Sequence, residues 1–377
     1  MIKDGKKTKP LPKFTDRQKS RLALDDQVNK SIWESRPHLC VECNKDLGKK
    51  PFKMFFSHLL SKGAHPELRH DEDQNLFVQP IVHRETFDLM KRLNSISGGR
   101  TSAYMAVHFP ADLNVFAAVC MDNPHSAIKD TGLLKAVRSK LERFNEEFGE
   151  FIGSPEDPKT FKVVLDLEQM IGREISWVRG ESFDKLTKRK NSLPCIDWRF
   201  CTTIMKMIPI AKFVYQATGG EKVLNCAGIR IDEPSRIKTE GHRSQVVDIP
   251  ISKSAKGRNK WIKYEFAEAT YPLVYAADGS IAPIRKNVIY DWAAQSGLDF
   301  PVSSNCQFCF HKGVSELIEN QQRNPGIFQA GEDMEAEHGR GTMKKDLPLA
   351  NIKKMQRPAF QLSFWGDESC ESGFCTD

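Results

Sequence analysis

The chain has 377 residues, of which 40% are hydrophobic and 28% charged, and its formal net charge is +7. That length and balance set aside a disordered chain and a small disulfide-stapled fold, and they fit an ordinary soluble protein of two or more units. No apolar run approaches the roughly 18 residues needed to span a bilayer, and no apolar segment follows the lysine-rich start as a secretory signal would require, so a cytoplasmic location with no membrane partner is expected.

The positive bias admits a nucleic-acid or nucleotide partner. Ten cysteines in a cytosolic chain read as metal ligands or redox groups rather than as disulfides.

Residues 1–30 are lysine-rich, with Pro10 and Pro12, and read as a basic arm. Residues 31–90 form a second unit. It carries Cys40 and Cys43 in a CxxC knuckle, then His58, Asn75 and His83. A CxxC presents two thiolates to one tetrahedral zinc, and distant His or Cys residues would complete the set. This stretch resembles the HNH endonuclease family, whose small ββα unit carries a His, an Asn and a final His. By that resemblance His58 is the general base and His83 the last His of the motif, with zinc as the staple. It departs from the family at Ser57, where a metal-binding acid or His is usual, and it lacks the second cysteine pair near Pro80. A degenerate module, used for DNA contact or as a structural unit, is expected over an active nuclease.

From Asn94 the pattern alternates strand and helix. An alternating run meets Ser97-Gly98-Gly99, and a helical pattern begins at Thr101. A strand, a Gly-rich turn and a helix start together present backbone N–H groups to an anion, and the hydroxyls of Ser97, Thr101 and Ser102 add donors. Residues 114–120 read as a strand buried in a parallel sheet. Residues 130–148 read as an amphipathic helix and residues 153–158 as a loop. Residues 161–167 and 222–229 read as further strands. The segments 241–243 and 254–260 read as a basic surface loop with scope for nucleic-acid contact. Residues 271–275 read as a buried strand and 288–294 as a core helix. Residues 91–300 are therefore expected to form a doubly wound, mostly parallel α/β sheet that binds ligands at the carboxyl ends of its strands.

Three later motifs bear on the Gly-rich turn. The first runs from Leu193 through Cys195 and Cys201-Thr202-Thr203 to Lys206 and Pro209. The second is Gly228-Ile229-Arg230-Ile231-Asp232-Glu233-Pro234-Ser235-Arg236. The third holds Cys306 and Cys309 in a CxxC, and residues 301–377 form a cysteine-rich extension that also contains Cys370 and Cys375. Two guanidiniums near a glycine turn suit bidentate phosphate binding, while Asp232 and Glu233 would orient them or hold a divalent ion. Ion pairing among the four is the structural alternative.

With the Ser97–Ser102 turn, these motifs resemble the phosphoadenosine phosphosulfate (PAPS) reductase-like family of the PP-loop, N-type ATP pyrophosphatase superfamily, including its phage and prophage members. The resemblance implies that Ser97, Gly98, Gly99, Arg100, Thr101, Ser102, Gly228, Arg230 and Arg236 hold the phosphates of ATP or of a PAPS-like nucleotide, with Mg²⁺. It assigns catalytic work to Arg230, Asp232, Lys206 and a tail thiol such as Cys375. It further implies a [4Fe–4S] cluster on Cys201, Cys306, Cys309 and a fourth thiolate from Cys195, Cys370 or Cys375; a zinc knuckle or free thiols are the alternatives. Two departures stand out: Thr101 occupies the usual Asp position of the turn, and no Glu-Cys-Gly precedes the C-terminus. The implied function is a nucleotide-dependent enzyme of sulfur chemistry, acting in nucleic-acid modification or on a PAPS-like nucleotide, with DNA or a sulfur-donor protein as partner. The alternative is a DNA-binding or nicking protein whose PP-loop domain senses nucleotide or redox state.

Overall fold

The structure is a computed structural model that describes residues 90–238, 243–253, 259–275, 284–338 and 341–355. The basic arm and the HNH-like pattern of Cys40, Cys43, His58, Asn75 and His83 lie outside the described residues, as do Cys370 and Cys375.

In chain order come β1 (Arg92–Ile96), α1 (Arg100–His108), β2 (Leu113–Ala118), α2 (Thr131–Leu141), α3 (Pro158–Ile171), β3 (Ser176–Arg179) and α4 (Phe183–Lys190). Then follow α5 (Ile208–Thr218), β4 (Val223–Cys226), β5 (Ser244–Lys253), β6 (Asn259–Thr270), α6 (Lys286–Gln295), α7 (Val314–Arg323) and α8 (Pro325–His338). The strands form one sheet in the order β3-β2-β1-β4-β6-β5. All neighbours run parallel except β5 and β6, which are antiparallel. No helix among the described residues is long and apolar enough to cross a membrane.

Helices cover both faces of the sheet, so alternate strand residues face different cores. Phe116 and Ala118 pack with Val137, Leu141 and Phe161 on one face. Val115 and Ala117 pack with Ile210, Ala211 and Val214 on the other. Burial on both sides explains why this strand reads as a continuous apolar run. A third cluster joins Val119, Met121 and Leu193 to Phe308, Phe328 and Leu349, so residues on both sides of position 300 share one core.

The chain lays β1, β2 and β3 toward one edge, then returns to place β4 on the other side of β1. Such a reversal opens a crevice at the carboxyl ends of the two diverging strands. The Ser97-Gly98-Gly99 turn leaves β1 there, and Ala227-Gly228 leaves β4.

Three sequence expectations are corrected. Residues 161–167 are not a strand but the middle of α3. The Asp157 carboxylate accepts a hydrogen bond from the Lys159 N–H, Pro158 opens the first turn, and Gly172 closes the helix in the left-handed region. A capping acid, a first-turn proline and a terminal glycine are helix boundary signals, and they outweigh the β-branched run between them. Lys162 and Asp166, four residues apart, pair at 2.7 Å as a helix allows. Tyr271, Leu273 and Val274 are buried and Tyr275 is exposed, and residues 271–275 turn rather than extend: the N–H groups of Val274 and Tyr275 both donate to the Tyr271 carbonyl. The helix expected over 130–148 breaks after Leu141 into a 3₁₀ turn, Glu142–Phe144, and a short helix, Asn145–Phe148. Of the basic segments, 241–243 precedes β5 and 254–260 falls between β5 and β6, with Asn259 and Lys260 already in β6; residues 239–242 and 254–258 lie outside the described residues.

Phe161 is fully buried, with ring centroids 5.7 Å from Phe116 and 5.6 Å from Phe151. Phe161→Ala is expected to cost about 3–5 kcal/mol, whereas Lys162→Ala loses only an exposed helical pair worth about 0.5 kcal/mol. Denaturant unfolding of the two variants checks this, and equal losses would contradict the helical register.

Candidate functional site

Two polar centres lie at the carboxyl ends of the parallel strands. The first is the turn between β1 and α1. Gly98 has φ +73°, and a Cβ there would stand 2.6 Å from Thr160 Cγ2 and 2.9 Å from the Thr160 carbonyl oxygen, so only glycine fits. The hydroxyls of the turn hold it shut. Ser97 Oγ and Ser102 Oγ lie 3.0 Å apart, the Ser97 N–H donates to Ser102 Oγ, and Ser102 Oγ donates to the Gly99 carbonyl. Helix α1 starts on Gly99, which has no side chain with which to cap the first-turn N–H groups. Arg100 turns aside: its Nη1 donates to the Val302 carbonyl at 3.3 Å, and its guanidinium lies 4.8 Å from the Tyr290 ring.

Gly228 brings the end of β4 against this turn, because a Cβ there would stand 3.0 Å from Thr101 Cγ2. Arg230, 8% exposed, then reaches Thr101: its Nη1 donates to Thr101 Oγ1 at 3.3 Å. The same guanidinium pairs with Asp232 at 3.1 Å and with Glu233 at 3.3 Å, and Glu233 also pairs with Arg236. The structure thus unites Ser97, Gly98, Gly99, Thr101, Ser102, Gly228 and Arg230, with Asp232 and Arg236 joined through ion pairs. Both carboxylates are spent on arginines in this state.

The second centre holds the thiols. After the short helix Phe200–Thr202 the chain forms a π turn, Thr203–Met207, before α5. Such turns are rare and occur often at functional sites. Gly180, at the end of β3, permits the approach, since a Cβ would stand 2.8 Å from the Ile204 carbonyl oxygen. The π turn aims Lys206 at Glu156, which is 1% exposed, with Nζ 2.9 Å from Oε1; Oε2 has no partner among the described residues. Burial lifts the Glu156 carboxyl above its usual range, against the pull of Lys206. Burial alone would depress the Lys206 ammonium, but Glu156 and the thiols of Cys306 and Cys201 hold it up.

Cys201, Cys306 and Cys309 pack against one hydrophobic cluster. Burial, then the charge of Cys309, pushes the Cys201 thiol up to about 11. Burial, then Glu156 and Cys309, drives Cys306 well above its usual value. Burial also raises Cys309, although the His311 N–H and Lys312 oppose it. Three soft donors suit iron or zinc, and a four-iron cluster needs four thiolates. Among the described residues no three His, Cys, Asp or Glu side chains form a group that could hold a metal ion. Cys195 lies on a neighbouring turn, bridged to Trp198 and flanked by the exposed Ile196. Cys375 lies outside the described residues.

The segment between residues 153 and 160 touches both centres. Thr160 closes on Gly98, Glu156 pairs with Lys206, and the Pro155 carbonyl accepts from the Gln307 N–H at 2.7 Å, inside the CxxC loop. Sequence reasoning read this segment only as a loop and missed Glu156. Its one available signal was the Asp-Pro helix start immediately after it. Arg179 was missed as well. It is 2% exposed at the end of β3, donates from Nη1 to the Gly149 carbonyl, and has no partner for Nε and Nη2 among the described residues. No protein-family model, no curated protein and no solved structure matches the chain.

A thiol whose folded pKa is raised above the unfolded value adds stability that is complete below the unfolded pKa and is lost as pH rises through the folded one. For Cys201 that window runs from 9.0 to about 11. In metal-free, reduced protein at pH 8, Cys201, Cys306 and Cys309 should therefore stay protonated and alkylate slowly, with rates climbing toward pH 11. Mass-spectrometric mapping after a timed iodoacetamide pulse checks this. Labelling of Cys201 at pH 8 as fast as a free thiol would contradict it.

Proposed function

We propose that the chain is a nucleotide-binding enzyme of sulfur chemistry, of the PP-loop ATP pyrophosphatase, PAPS reductase-like kind. The observation that carries the reading is the contact of Arg230 with Thr101 across the switch-point crevice, which sets a guanidinium beside a Gly-rich turn at an uncapped helix start. Backbone N–H groups and a guanidinium are the donors that a polyphosphate needs.

With ATP as substrate, an acceptor oxygen attacks the α-phosphorus, the α–β bond breaks, and pyrophosphate leaves with the bonding electrons. The turn N–H groups and Arg230 stabilise the charge that develops on that leaving group. Asp232 and Glu233 hold Arg230 in place before the nucleotide arrives, and release of Asp232 frees a carboxylate for Mg²⁺. A sulfide-level nucleophile from a sulfur donor then attacks the carbon that bears the adenylated oxygen, on a nucleic acid or a small molecule. The C–S bond forms as the C–O bond breaks, and AMP departs with that oxygen.

The thiol centre lies alongside, tied to the turn through residues 153–160. The described residues hold no ready metal-binding group. A [4Fe–4S] cluster there would require Cys201, Cys306 and Cys309 to move into ligating distance with a fourth thiolate from Cys195, Cys370 or Cys375, and it would supply electron or sulfur handling. Lys206 supplies positive charge next to those thiolates, and Glu156 positions Lys206. Thr101 leaves the turn without the acid usual in the superfamily, so the phosphates meet a hydroxyl there instead of a like charge.

Titration calorimetry with ATP and Mg²⁺ tests the reading. Arg230→Ala is expected to weaken binding by about 10- to 100-fold, as for loss of a charge-assisted hydrogen bond of roughly 1.5–3 kcal/mol. Arg230→Lys should recover only part of it, because an ammonium lacks the planar fork. Wild-type affinity in Arg230→Ala would remove the basis of the proposal.

A further inference from the structure

The last residue of β3, Arg179, is 2% exposed and belongs to neither centre. Its Nη1 donates to the Gly149 carbonyl at 3.2 Å, and its guanidinium carbon lies 5.5 Å from the centre of the Phe148 ring. Nε and Nη2, both shielded from solvent, have no hydrogen-bond partner among the described residues. These two nitrogens form one edge of the guanidinium, where two N–H bonds point the same way and suit a pair of oxygens on one centre. The Phe148 ring offsets part of the charge, but it leaves that edge unmatched. A buried cation in this state costs free energy until an acceptor meets it.

The acids that lie close by in the sequence are committed elsewhere: Glu150 pairs with Arg138 at 3.1 Å and Glu181 with Arg189 at 2.6 Å. Strand alternation puts Trp177 on the same face of β3 as Arg179, and the buried Trp177 Nε1–H also lacks an acceptor. That face offers donors without acceptors, which suits an anion rather than a cation or an apolar ligand. It lies at the carboxyl end of a parallel strand, where sheets of this kind bind ligands. Strand β3 stands two places from β1, so the site is about 10 Å along the sheet edge from the Gly-rich turn. Gly149 is exposed, with φ +80° and no atom within 4 Å of a Cβ position, so the guanidinium reaches from the core to an open stretch of surface.

We propose that the Nε–Nη2 edge of Arg179 is a binding site for a small oxyanion (a phosphate, a sulfate or a carboxylate) that enters past Gly149 and takes both N–H bonds side-on. Two oxygens on one centre match that fork better than a single halide ion does. The site stands on β3 and the Gly149 loop alone, and it would hold even if the nucleotide reading of the crevice failed.

The test follows the arginine Nε–H signals of the isotope-labelled full chain by NMR while phosphate, sulfate or acetate replaces chloride at constant ionic strength. Arg230→Ala, run in parallel, removes the guanidinium of the crevice. A slowly exchanging Nε–H signal should shift saturably with at least one of the three anions, in the wild type and in Arg230→Ala alike. The anion that binds most tightly then identifies the ligand class. Arg179→Lys keeps the charge without the fork, so that signal should be absent and the anion should bind about 10- to 100-fold more weakly, read from the anion-dependent rise in melting temperature. Arg179→Met should lose the response as well, and it serves where the lysine variant does not fold. No Nε–H response to any of the three anions would overturn the proposal. Wild-type anion affinity in the Arg179 variants, or a response that vanishes in Arg230→Ala, would overturn it equally, since binding would then lie elsewhere.

Discussion

The close approach of Gly98 to Thr160 is the constraint on which the crevice depends. Gly98 sits at φ +73° with the first turn of α3 where its Cβ would be. That contact lets the β1 turn fold tightly enough for Ser97 and Ser102 to share a hydrogen bond. It also fixes the start of α3, and hence Glu156, two residues before Pro158, under Lys206. One glycine therefore couples the geometry of the phosphate-type turn to that of the thiol centre.

Both centres pair a cation with acid where at least one partner is buried, Arg230 in the first and Glu156 in the second. Arg230 is shared between Thr101, Asp232 and Glu233, and Lys206 is held by Glu156. Removing one partner of such a pair strands the other in low dielectric, which is why the pairs rigidify the site even where they add little net stability. A polyanion entering the crevice has to compete with carboxylates for Arg230, so binding and rearrangement of the arginine cluster are linked. At the thiol centre the logic differs. The neutral thiols are favoured by burial, and their ionisation requires a nearby cation or a metal.

The motifs that sequence reasoning singled out were legible because each needs a particular residue type: glycine where a Cβ cannot fit, arginine where a fork is useful, cysteine in a CxxC. The chain brings the Gly-rich turn, Gly228 and Arg230 together, and Lys206 together with Cys201, Cys306 and Cys309. The parallel α/β sheet was legible too, since Val115–Ala118 carry the apolar run of a strand covered on both faces. What was hidden depended on local competition or on tertiary contact. Phe161–Leu167 has a β-branched, strand-like composition, yet Asp157, Pro158 and Gly172 make it a helix. Glu156 has no motif of its own, because its role arises only where α3 starts beside the π turn. The β5–β6 ribbon was masked by its polar, glycine-containing connection, which reads as a loop.

Backbone amide exchange across the Gly-rich turn probes the nucleotide site most directly. The amides of Thr101 and Ser102 should exchange markedly more slowly when ATP and Mg²⁺ are added, because phosphate oxygens would take the hydrogen bonds that the first turn of α1 leaves open. The same amides should be unaffected by a nucleoside without phosphates. Protection that appears elsewhere while the turn exchanges at its nucleotide-free rate would contradict the account.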